Sequence, residues 1–491
     1  MLNAFPDLLA RRAELSGDAV AFEELATARS HTYRALGERA ARAAGLLRAR
    51  GIGEGDRVGI LCRNRIAFFE LLFACARIGA ILVPLNWRMP PAELATLVAD
   101  AGPVLLFAGA EDEAAAAGLA LPTIGLDRDY AALVAAADPV APGDWPADGI
   151  WYLLYTSGTT GCPKGVIYTF RMALANHVNI GSAIDLASTD TTANFLPLFH
   201  TAGINLHTLP TLFQGGRVLI LPGFDPEAIV ALLEARRLDT FFAVPTVYHA
   251  LLDHPRFAAA PLDRVRHWGC GGAPLPEPVA ARARALGIRI CAGMGMTETG
   301  PTAFLASAAE AWTHLGSVGR PQLLVSARIV GPSGEAVRDG DVGELQFSGP
   351  GITPGYWNDP AATRAAFTED GWLRSGDLAR RDPDGLWYIE GRCKEMFISG
   401  GENVYPAEVE KVLAAHPAIA EAAVVAAPHP RWGEVGRAFV QIASGRPQPG
   451  TKELEAFCRT RLAAYKVPES FHYVADFPRS AGGKVQKHLL G

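Results

Sequence analysis

The stretch from Tyr155 to Gly165 contains the residue types that bind a polyphosphate. Its glycines let the backbone approach an anion closely, its hydroxyl groups add hydrogen-bond donors, and Lys164 adds a positive charge. The spacing differs from the Walker pattern, because Gly158 and Gly161 are two residues apart and Pro163 precedes the lysine. The stretch therefore predicts a phosphate-binding loop of another type, and a solvated glycine-rich turn is the alternative.

Apolar and aromatic residues from 149 to 155 predict a buried strand directly before this loop. From residue 32 to residue 101, helical patterns alternate with short apolar strands, and Thr32 is placed to cap a helix that runs toward Arg50. This alternation is typical of parallel sheets with helices on both faces. From residue 395 onward, two amphipathic helices flank a strand, which indicates a separate small domain. The predicted fold class is α/β, with a large N-terminal domain of layered α/β sheets and a small mobile α+β C-terminal domain.

Composition excludes several classes of protein. The chain has 491 residues, which is too many for one ordinary core, and its 49% hydrophobic and 20% charged residues indicate a soluble globular protein. A net charge of −6 gives no basic surface for nucleic acid. The apolar segment from 68 to 85 is interrupted by charges, so no membrane span is expected. The seven cysteines are scattered without metal spacing, which favours a reducing cytoplasm.

Further motifs follow the glycine-rich stretch in a fixed order. They are Phe199-His200 at the end of a predicted strand from 192 to 200 that runs into a turn, the turn 271–274, residues 290–299, residues 344–357, the group 374–377, the group 391–394, and the tail 478–487. Between the first two, residues 239–245 predict another buried strand, which ends at Pro245. Together the motifs resemble the adenylate-forming superfamily of acyl- and aryl-CoA synthetases, peptide-synthetase adenylation domains and beetle luciferases. In type the chain is most similar to 4-coumarate–, feruloyl– and fatty acyl–CoA ligases.

The resemblance implies a set of residues that bind ATP or AMP. They are Thr156, Ser157, Gly158, Thr159, Thr160, Gly161, Lys164, Gly272, Ala273, Pro274, Met294, Gly295, Met296, Thr297, Asp377, Arg392 and Lys484. The resemblance also implies catalytic roles for four residues. Two of them, Thr297 and Lys484, belong to this set, and the other two are His200 and Glu298. Glu298 is the expected Mg²⁺ ligand, because Mg²⁺ prefers one or two carboxylates together with substrate phosphates. Met294 departs from the family pattern, in which an aromatic ring stacks on adenine.

The same resemblance implies where the acid and coenzyme A bind. The expected acid-binding residues are His200, Asn205, Phe241, Val244, Thr246, Gly271, Thr299, Gly300 and Pro301. Asn205 and Thr246 are the candidates for bonding a ring hydroxyl, and His207 is interpreted as structural. Ser399, Gly400 and Gly401 are expected to line the coenzyme A channel. Lys394 is the expected hinge between a large domain, residues 1–393, and a small domain, residues 394–491.

These residues predict an ATP-dependent acid–CoA ligase that uses Mg²⁺ and acts on an apolar monocarboxylic acid, with an aromatic or arylpropenoic acid as the first choice. The alternatives are a medium-chain fatty acyl-CoA synthetase, an adenylation enzyme that loads a carrier protein, a luciferase-like oxidase, and a nucleotide-binding regulator without turnover. The expected partners are the small-molecule acid, ATP and coenzyme A, in a cytoplasmic enzyme for which a homodimer is one candidate state.

Overall fold

The computed structural model describes residues 3–156, 163–400, 402–479 and 485–490. The large N-terminal part holds two mainly parallel sheets with helices against them, as the alternating pattern predicted. Its α-helices are Leu8–Ser16, Tyr33–Ala49, Ile66–Ile78, Pro91–Ala101, Glu113–Ala117, Tyr130–Ala136, Phe170–Ala183, Thr208–Gln214, Pro226–Glu234, Pro245–Asp253, Glu277–Ala285, Glu310–Thr313 and Pro360–Ala366. Among the described residues, no helix is both long and apolar enough to cross a bilayer.

The first sheet has six strands and ends in an antiparallel hairpin. In spatial order its strands are Lys164–Thr169, Ile150–Thr156, Ile81–Pro84, Arg57–Leu61, Leu105–Ala108 and Thr123–Gly125. The helix Ile66–Ile78 is almost wholly buried against this sheet, and Trp145, Trp151 and Phe170 stack beside it. Such burial of large aromatic rings contributes about 1.5–3 kcal/mol for each side chain. The hairpin therefore rests on a rigid base.

The second sheet has nine strands and carries most of the other predicted site residues. In spatial order its strands are Arg320–Pro321, Gly300–Leu305, Ile290–Met296, His267–Cys270, Thr240–Ala243, Thr191–Asn194, Arg217–Ile220, Val20–Glu24 and Arg29–Thr32. The six central strands, from Ile290–Met296 to Val20–Glu24, are parallel, and the outer ones are antiparallel. The carboxyl ends of parallel strands meet at one sheet edge, where α/β proteins bind their ligands.

Two smaller sheets follow in the chain, and a two-stranded pair joins Ala4–Pro6 to Asp144–Pro146. The four-stranded antiparallel sheet consists of Ser326–Val330, Gly343–Ser348, Leu373–Arg381 and Trp387–Arg392. The five-stranded sheet of the small domain consists of Glu402–Val404, Phe397–Ser399, Gly433–Ile442, Ile419–His429 and Ser470–Val474.

The small C-terminal part has its own core. Its helices Pro406–Ala414 and Thr451–Arg459 bury Val409, Leu413 and Leu454 against the five-stranded sheet. A separate core is the physical mark of a domain. Lys394, the predicted hinge, lies in the turn between the last strand of the four-stranded sheet and the first strand of the small domain.

Two predicted strands end earlier than expected. The strand predicted over 192–200 ends at Asn194, so His200 lies six residues beyond it, in a turn where its N–H bonds to the Pro197 carbonyl. The strand predicted over 239–245 ends at Ala243, and Pro245 instead opens the helix Pro245–Asp253. Proline suits the first helical position, because the N–H that it lacks would have no helical partner there.

Candidate active site

The two ends of the glycine-rich stretch are held together by the hairpin of the first sheet. Thr156 and Lys164 are directly opposite each other in the antiparallel ladder. The predicted positions Ser157, Gly158, Thr159, Thr160 and Gly161 lie outside the described residues, as does Cys162. The ladder therefore fixes both ends of the segment that was predicted to bind phosphate.

Glu298 lies at the tip of a hairpin in the second sheet, near Lys164. Its side chain is buried, and the Tyr356 hydroxyl donates a 2.9 Å hydrogen bond to its Oε1. The Nζ of Lys164 lies 5.1 Å from the centroid of the Tyr356 ring. Burial and the charge of Glu298 raise the pKa of Tyr356, so the phenol stays protonated and keeps donating. The structure thus brings Lys164 and Glu298 together through Tyr356.

The turn that carries Thr297 and Glu298 is fixed by Thr299. The Thr299 hydroxyl accepts a 2.9 Å hydrogen bond from the N–H of Met296 and donates to the Gly300 carbonyl at 2.8 Å. Its side chain is buried in the turn. The Thr299 hydroxyl therefore holds the turn that presents Glu298, and the predicted contact of Thr299 with the acid stays a prediction.

Glycines allow the two strands of the hairpin that carries Glu298 to approach each other closely. A Cβ on Gly295 would lie 2.2 Å from the Pro301 carbonyl oxygen, and Gly300 has a φ of +72°. Both positions require glycine if the hairpin is to keep its shape. Met294 and Met296 are half-buried on the same strand and pack against the core that Phe304 and Trp387 share.

The turn 271–274 connects the strand His267–Cys270 to the helix Glu277–Ala285. Gly272 has a φ of +82° and, with Ala273 and Pro274, is exposed, whereas Gly271 is buried. A Cβ on Gly271 would lie 3.2 Å from both the Gly293 carbonyl oxygen and the Phe242 ring. The exposed part of this turn is open to a ligand, and the buried part forms a wall without side chains.

Asp377 and Arg392, both predicted to bind ribose, are paired in the structure. They are opposite residues on adjacent antiparallel strands, and Arg392 Nε lies 2.9 Å from Asp377 Oδ1. Asp377 is buried while Arg392 is exposed. The pair joins the Asp377 carboxylate to the Arg392 guanidinium, and Arg392 is two residues before the predicted hinge, Lys394.

Phe241 was predicted to line the acid pocket, and the structure contradicts this. Its ring is fully buried on the opposite face of the sheet, against Phe195, Tyr248 and Trp268. Successive strand residues point to opposite faces, so Phe242 is the one beside Gly271. The ring predicted for the pocket is therefore supplied one residue later.

Asn205 is also used differently from the prediction. It is buried, its Oδ1 accepts a 2.7 Å hydrogen bond from the Tyr152 hydroxyl, and its Nδ2 donates to Thr201 Oγ1 at 3.0 Å. The Asn205 side chain thus links the strand that carries Tyr152 to the segment that carries Thr201. Its Oδ1 already accepts a hydrogen bond from Tyr152. Thr246, the other residue predicted to bond a ring hydroxyl, is exposed on the first turn of the helix Pro245–Asp253.

The remaining predicted acid-binding residues border the same region. His200 is half-buried and packs on Phe199, with ring centroids 4.6 Å apart. Val244 is half-buried, and its Cγ1 is 3.6 Å from the Cβ position of Gly272. Pro301 approaches Gly295 through its carbonyl group. These contacts give a mainly apolar surface between His200 and the turn 271–274.

In the small domain, Ser399 is buried and Gly400 adopts a φ of +60°. The Gly400 N–H donates to the Trp432 carbonyl, and the Trp432 ring covers the glycine, 3.0 Å from its Cβ position. Trp432 is 45% exposed, although large aromatic side chains are normally buried. Gly401 and Lys484 lie outside the described residues.

Sequence reasoning missed a cationic cavity of about 290 Å³ beside Phe199. Its lining includes Arg63, Trp87 and Arg88, and the Arg63 guanidinium carbon lies 3.3 Å from the centroid of the Trp87 ring. Tyr356 was missed as well, although it lies within the motif over residues 344–357. Nothing in the spacing of these residues marks them, since they meet only in the folded chain.

Comparison with known protein families shows which family the chain belongs to. The family model described as AMP-binding enzyme matches residues 9–357, and the model of its C-terminal domain matches residues 408–484. The chain belongs to the AMP-binding enzyme family. The resemblance inferred from the motifs is thereby confirmed, as are the α/β fold class and the small C-terminal domain.

Relatives of this AMP-binding enzyme include acid–CoA ligases of two kinds. It is 43% identical over 479 residues to a feruloyl-CoA synthase of Amycolatopsis sp, covering 97% of this chain and 96% of the relative. It is 32% identical to a long-chain fatty acid–CoA ligase of Mycobacterium tuberculosis, covering 98% and 97%.

Solved structures of similar shape contain nucleotide. ATP-bound MatB from Rhodopseudomonas palustris superposes with a TM-score of 0.91 and 32% identity, covering 99% of this AMP-binding enzyme and 98% of MatB. O-succinylbenzoate coenzyme A synthetase from Bacillus subtilis, in complex with ATP and magnesium ion, gives 0.90 and 30%, with 99% of each chain covered.

Proposed function

We propose that this AMP-binding enzyme is an ATP-dependent acid–CoA ligase that forms an acyl-adenylate and then an acyl-CoA thioester. The observation that carries the proposal is the buried Glu298 carboxylate, held by Tyr356 beside Lys164 at the base of the phosphate-loop hairpin. An acceptor-only carboxylate next to a lysine suits a site where a magnesium–polyphosphate complex binds.

Glu298 would hold Mg²⁺, and the chemistry of the donor set fits that ion. In the described part of the chain, no group of three or more His, Cys, Asp or Glu side chains could form a metal site made by protein alone. A single carboxylate is what Mg²⁺ uses when phosphates and water fill its other positions. When bound, the ion neutralises charge on the phosphates.

In the first half-reaction, the carboxylate of the acid attacks the α-phosphorus of ATP, and the bond to pyrophosphate breaks. This chain must hold two anions in contact and stabilise the negative charge that develops on the leaving group. We assign that work to Lys164, to the hydroxyls of the stretch 156–160, and to Lys484. Asp377 and Arg392 are assigned to the ribose.

In the second half-reaction, the thiol of coenzyme A attacks the acyl carbonyl and AMP leaves. We propose that the small domain, residues 394–491, turns at Lys394 and brings Ser399, Gly400 and Gly401 to the channel. Arg63, Arg88 and Trp87 offer charge and a ring for the phosphates and adenine of the coenzyme, since arginine binds phosphate in a bidentate manner. The enzyme is placed in the cytoplasm, where coenzyme A and ATP are available.

The acid is proposed to be an apolar monocarboxylate, with an aromatic or arylpropenoic acid as first choice. Of the described residues proposed to line this surface, His200, Phe242, Val244 and Gly271, none is a lysine or arginine that could pair with a second carboxylate, and none is a carboxylate that could pair with an amino group. The 43% identity to a feruloyl-CoA synthase supports an aromatic acid. The 32% identity to a long-chain fatty acid–CoA ligase supports an alkyl acid as the second candidate.

ATP–pyrophosphate exchange tests the proposal with coumarate, cinnamate, benzoate, octanoate, malonate and phenylalanine, followed by product formation with coenzyme A. We expect exchange with the arylpropenoic acids and thioester formation only after coenzyme A is added. A clear preference for malonate or phenylalanine would contradict the proposed acid class, and a preference for octanoate over every aromatic acid would support the second candidate.

A further inference from the structure

A layer of buried polar side chains lies on the same face of the nine-stranded sheet as Phe242 and Gly271. Thr192, Thr240 and His267 are neighbours on three parallel strands, at the level below Phe242. His207 contacts Thr192 and His267 from the segment that follows His200, and Thr211 is buried one helical turn after His207. All five side chains are more than nine-tenths buried.

Several polar atoms of this layer have no hydrogen-bond partner in the described part of the chain. They are His207 Nε2, His267 Nε2, Thr211 Oγ1 and Thr240 Oγ1. His207 Nδ1 lies 3.4 Å from Thr192 Oγ1. Burial lowers the pKa of His207 to about 3 and that of His267 to about 4, so both rings are neutral at physiological pH. A neutral imidazole offers one N–H and one lone pair.

His207 also lines a small, partly open cavity. This cavity measures about 10 Å³ and lies between the sheet and the segment after His200. Its lining is Ala193, Asn194, Leu196, Ala202, Gly203, Leu206, His207, Thr208 and Phe242. About 10–15 Å³ is the volume that one water-sized group needs. The cavity therefore has room for one hydroxyl group.

The other polar side chains of the cavity lining are already engaged. Asn194 Nδ2 donates to the Gly203 carbonyl and to Thr208 Oγ1, both at 2.7 Å, and its Oδ1 accepts from Asn64. Thr208 Oγ1 donates to the Gly203 carbonyl at 2.9 Å. Among the described lining side chains, the Nε2 of His207 is the polar atom that remains available to a ligand.

The cavity adjoins the surface assigned to the acid. Ala202 and Gly203 follow His200 within three residues, and the Cζ of Phe242 lies 3.2 Å from the Cβ position of Gly271. The carboxyl group of the acid must lie near Glu298 and the phosphates. The far end of the acid then extends past Gly271 toward Phe242 and the cavity.

We infer that His207 recognises a hydroxyl group at the far end of the acid, and that the preferred substrate class is the para-hydroxyarylpropenoic acids. The inference rests on the proposed function and names the acid for that site. A phenol can donate to the imidazole lone pair or accept from its N–H. An alkyl or methyl terminus leaves a buried nitrogen unsatisfied, which is the kind of loss that makes polar sites selective.

Isosteric acids provide the test. We would measure kcat/KM in pyrophosphate exchange for coumarate and for 4-methylcinnamate, in which a methyl group replaces the hydroxyl. The wild-type enzyme is expected to prefer coumarate at least 10-fold. His207→Leu should reduce that ratio about 10-fold or more by slowing coumarate while 4-methylcinnamate changes little, and His207→Gln, which keeps a polar group, should retain part of the ratio. His177→Leu is the control, because His177 is a half-buried histidine that packs edge-on against Phe213, away from the cavity lining; it should leave the ratio unchanged.

The role of His207 and the proposed acid class would be overturned by different results. Equal kcat/KM for the two acids in the wild type, or an equal loss for both acids in His207→Leu, would overturn the role of His207 while leaving an aryl acid ligase in place. Activity with octanoate and with neither aromatic acid would overturn the proposed acid class itself. If His207→Leu does not fold, His207→Gln decides: an unchanged ratio overturns the inference, and a reduced ratio supports it.

Discussion

At the scale of single residues, the site depends on which face of a strand a side chain occupies. Phe241 and Phe242 are adjacent and chemically identical, yet one ring fills the core and the other borders the acid surface. The sequence shows the pair but not the register, since nothing in the residues themselves says which face will be covered.

Replacing each phenylalanine by alanine should therefore affect different properties: stability for Phe241 and acid preference for Phe242. Phe241→Ala should lower the free energy of unfolding by about 3–5 kcal/mol, because it leaves a cavity among Phe195, Tyr248 and Trp268. Phe242→Ala should destabilise less and shift the preference toward bulkier acids. Urea unfolding and kcat/KM for cinnamate and 4-phenylcinnamate check both. The same acid profile for the two variants would contradict the assignment of faces.

Tyr356 offers a second residue-scale prediction. Tyr356→Phe removes a hydrogen bond to an ionised carboxylate, which is worth about 1.5–3 kcal/mol. We expect pyrophosphate exchange to fall about 10-fold and the Mg²⁺ concentration at half-maximal rate to rise, because Glu298 loses the group that orients it. Tyr388→Phe, on the strand Trp387–Arg392, is the control. A response to Mg²⁺ like that of the wild type would show that Tyr356 does not orient Glu298.

At the scale of elements, the segment after the strand Thr191–Asn194 positions both His200 and His207. Gly203 permits this, because a Cβ there would lie 2.4 Å from the Pro197 carbonyl oxygen and 2.5 Å from that of Leu196. Backbone atoms cannot move aside as a flexible side chain can. The close approach is what folds the segment over the buried polar layer.

Gly203→Ala should consequently lower stability by about 1–3 kcal/mol and reduce activity with every acid, because the turn that carries His200 must shift. Gly143→Ala is the matched control, since a Cβ at Gly143 meets no atom within 4 Å. Thermal unfolding and the acid panel measure both effects. Equal stability of the two variants would show that the turn adapts without strain.

Local signals predicted the elements well and the contacts between them poorly. Thr32 caps the helix Tyr33–Ala49 as expected, through a 3.2 Å hydrogen bond from the N–H of Ala35 to its hydroxyl, because capping depends on residues only three apart. The hydrogen bonds of Asn205 were not predicted from the sequence, because its partners Tyr152 and Thr201 become its neighbours only after two layers of the fold pack together. The predicted roles at positions 157–161, 401 and 484 stay predictions.

At the scale of the whole molecule, the buried histidines link stability to pH. The pKa values of His207 and His267 are lowered to about 3 and about 4, from an ordinary value near 6.5. Between pH 6.5 and pH 4 the unfolded chain binds protons that the folded chain excludes, so stability falls as pH falls through this window. Each histidine contributes up to about 1.4 kcal/mol per pH unit.

Urea unfolding at pH 7.0, 5.5 and 4.5 measures this effect. The double variant His207→Leu, His267→Leu should show a shallower fall in stability than the wild type over the same range. Equal slopes in the two proteins would assign the pH dependence to other groups.

The small domain is joined to its own C-terminal tail by Lys487. Its Nζ pairs with Glu410 at 2.8 Å and also with Glu395, one residue after Lys394. Burial opposes the charge of this lysine, but the two carboxylates together raise its pKa. The tail that contains Lys484 is thereby tied to the turn proposed as the hinge.

Lys487→Met should lower small-domain stability by about 1–3 kcal/mol, because the half-buried Glu410 loses its partner. It should also slow adenylation more than thioester formation, since Lys484 is three residues away. Lys466→Met, which breaks a Lys–Glu pair of 2.7 Å with Glu408 in the same domain, is the control. Hydrogen exchange of residues 485–490 and separate assays of the two half-reactions measure the effects, and equal slowing of both would contradict the link to Lys484.

The small size of the cavity beside His207 has a consequence for the order of reactions in a cell. A space of about 10 Å³ admits a hydroxyl oxygen but not the extra carbon of a para-methoxyl group. Acids that carry a methyl ether at that position would have to lose it before they reach this enzyme. For those acids, an O-demethylation would therefore have to precede thioester formation.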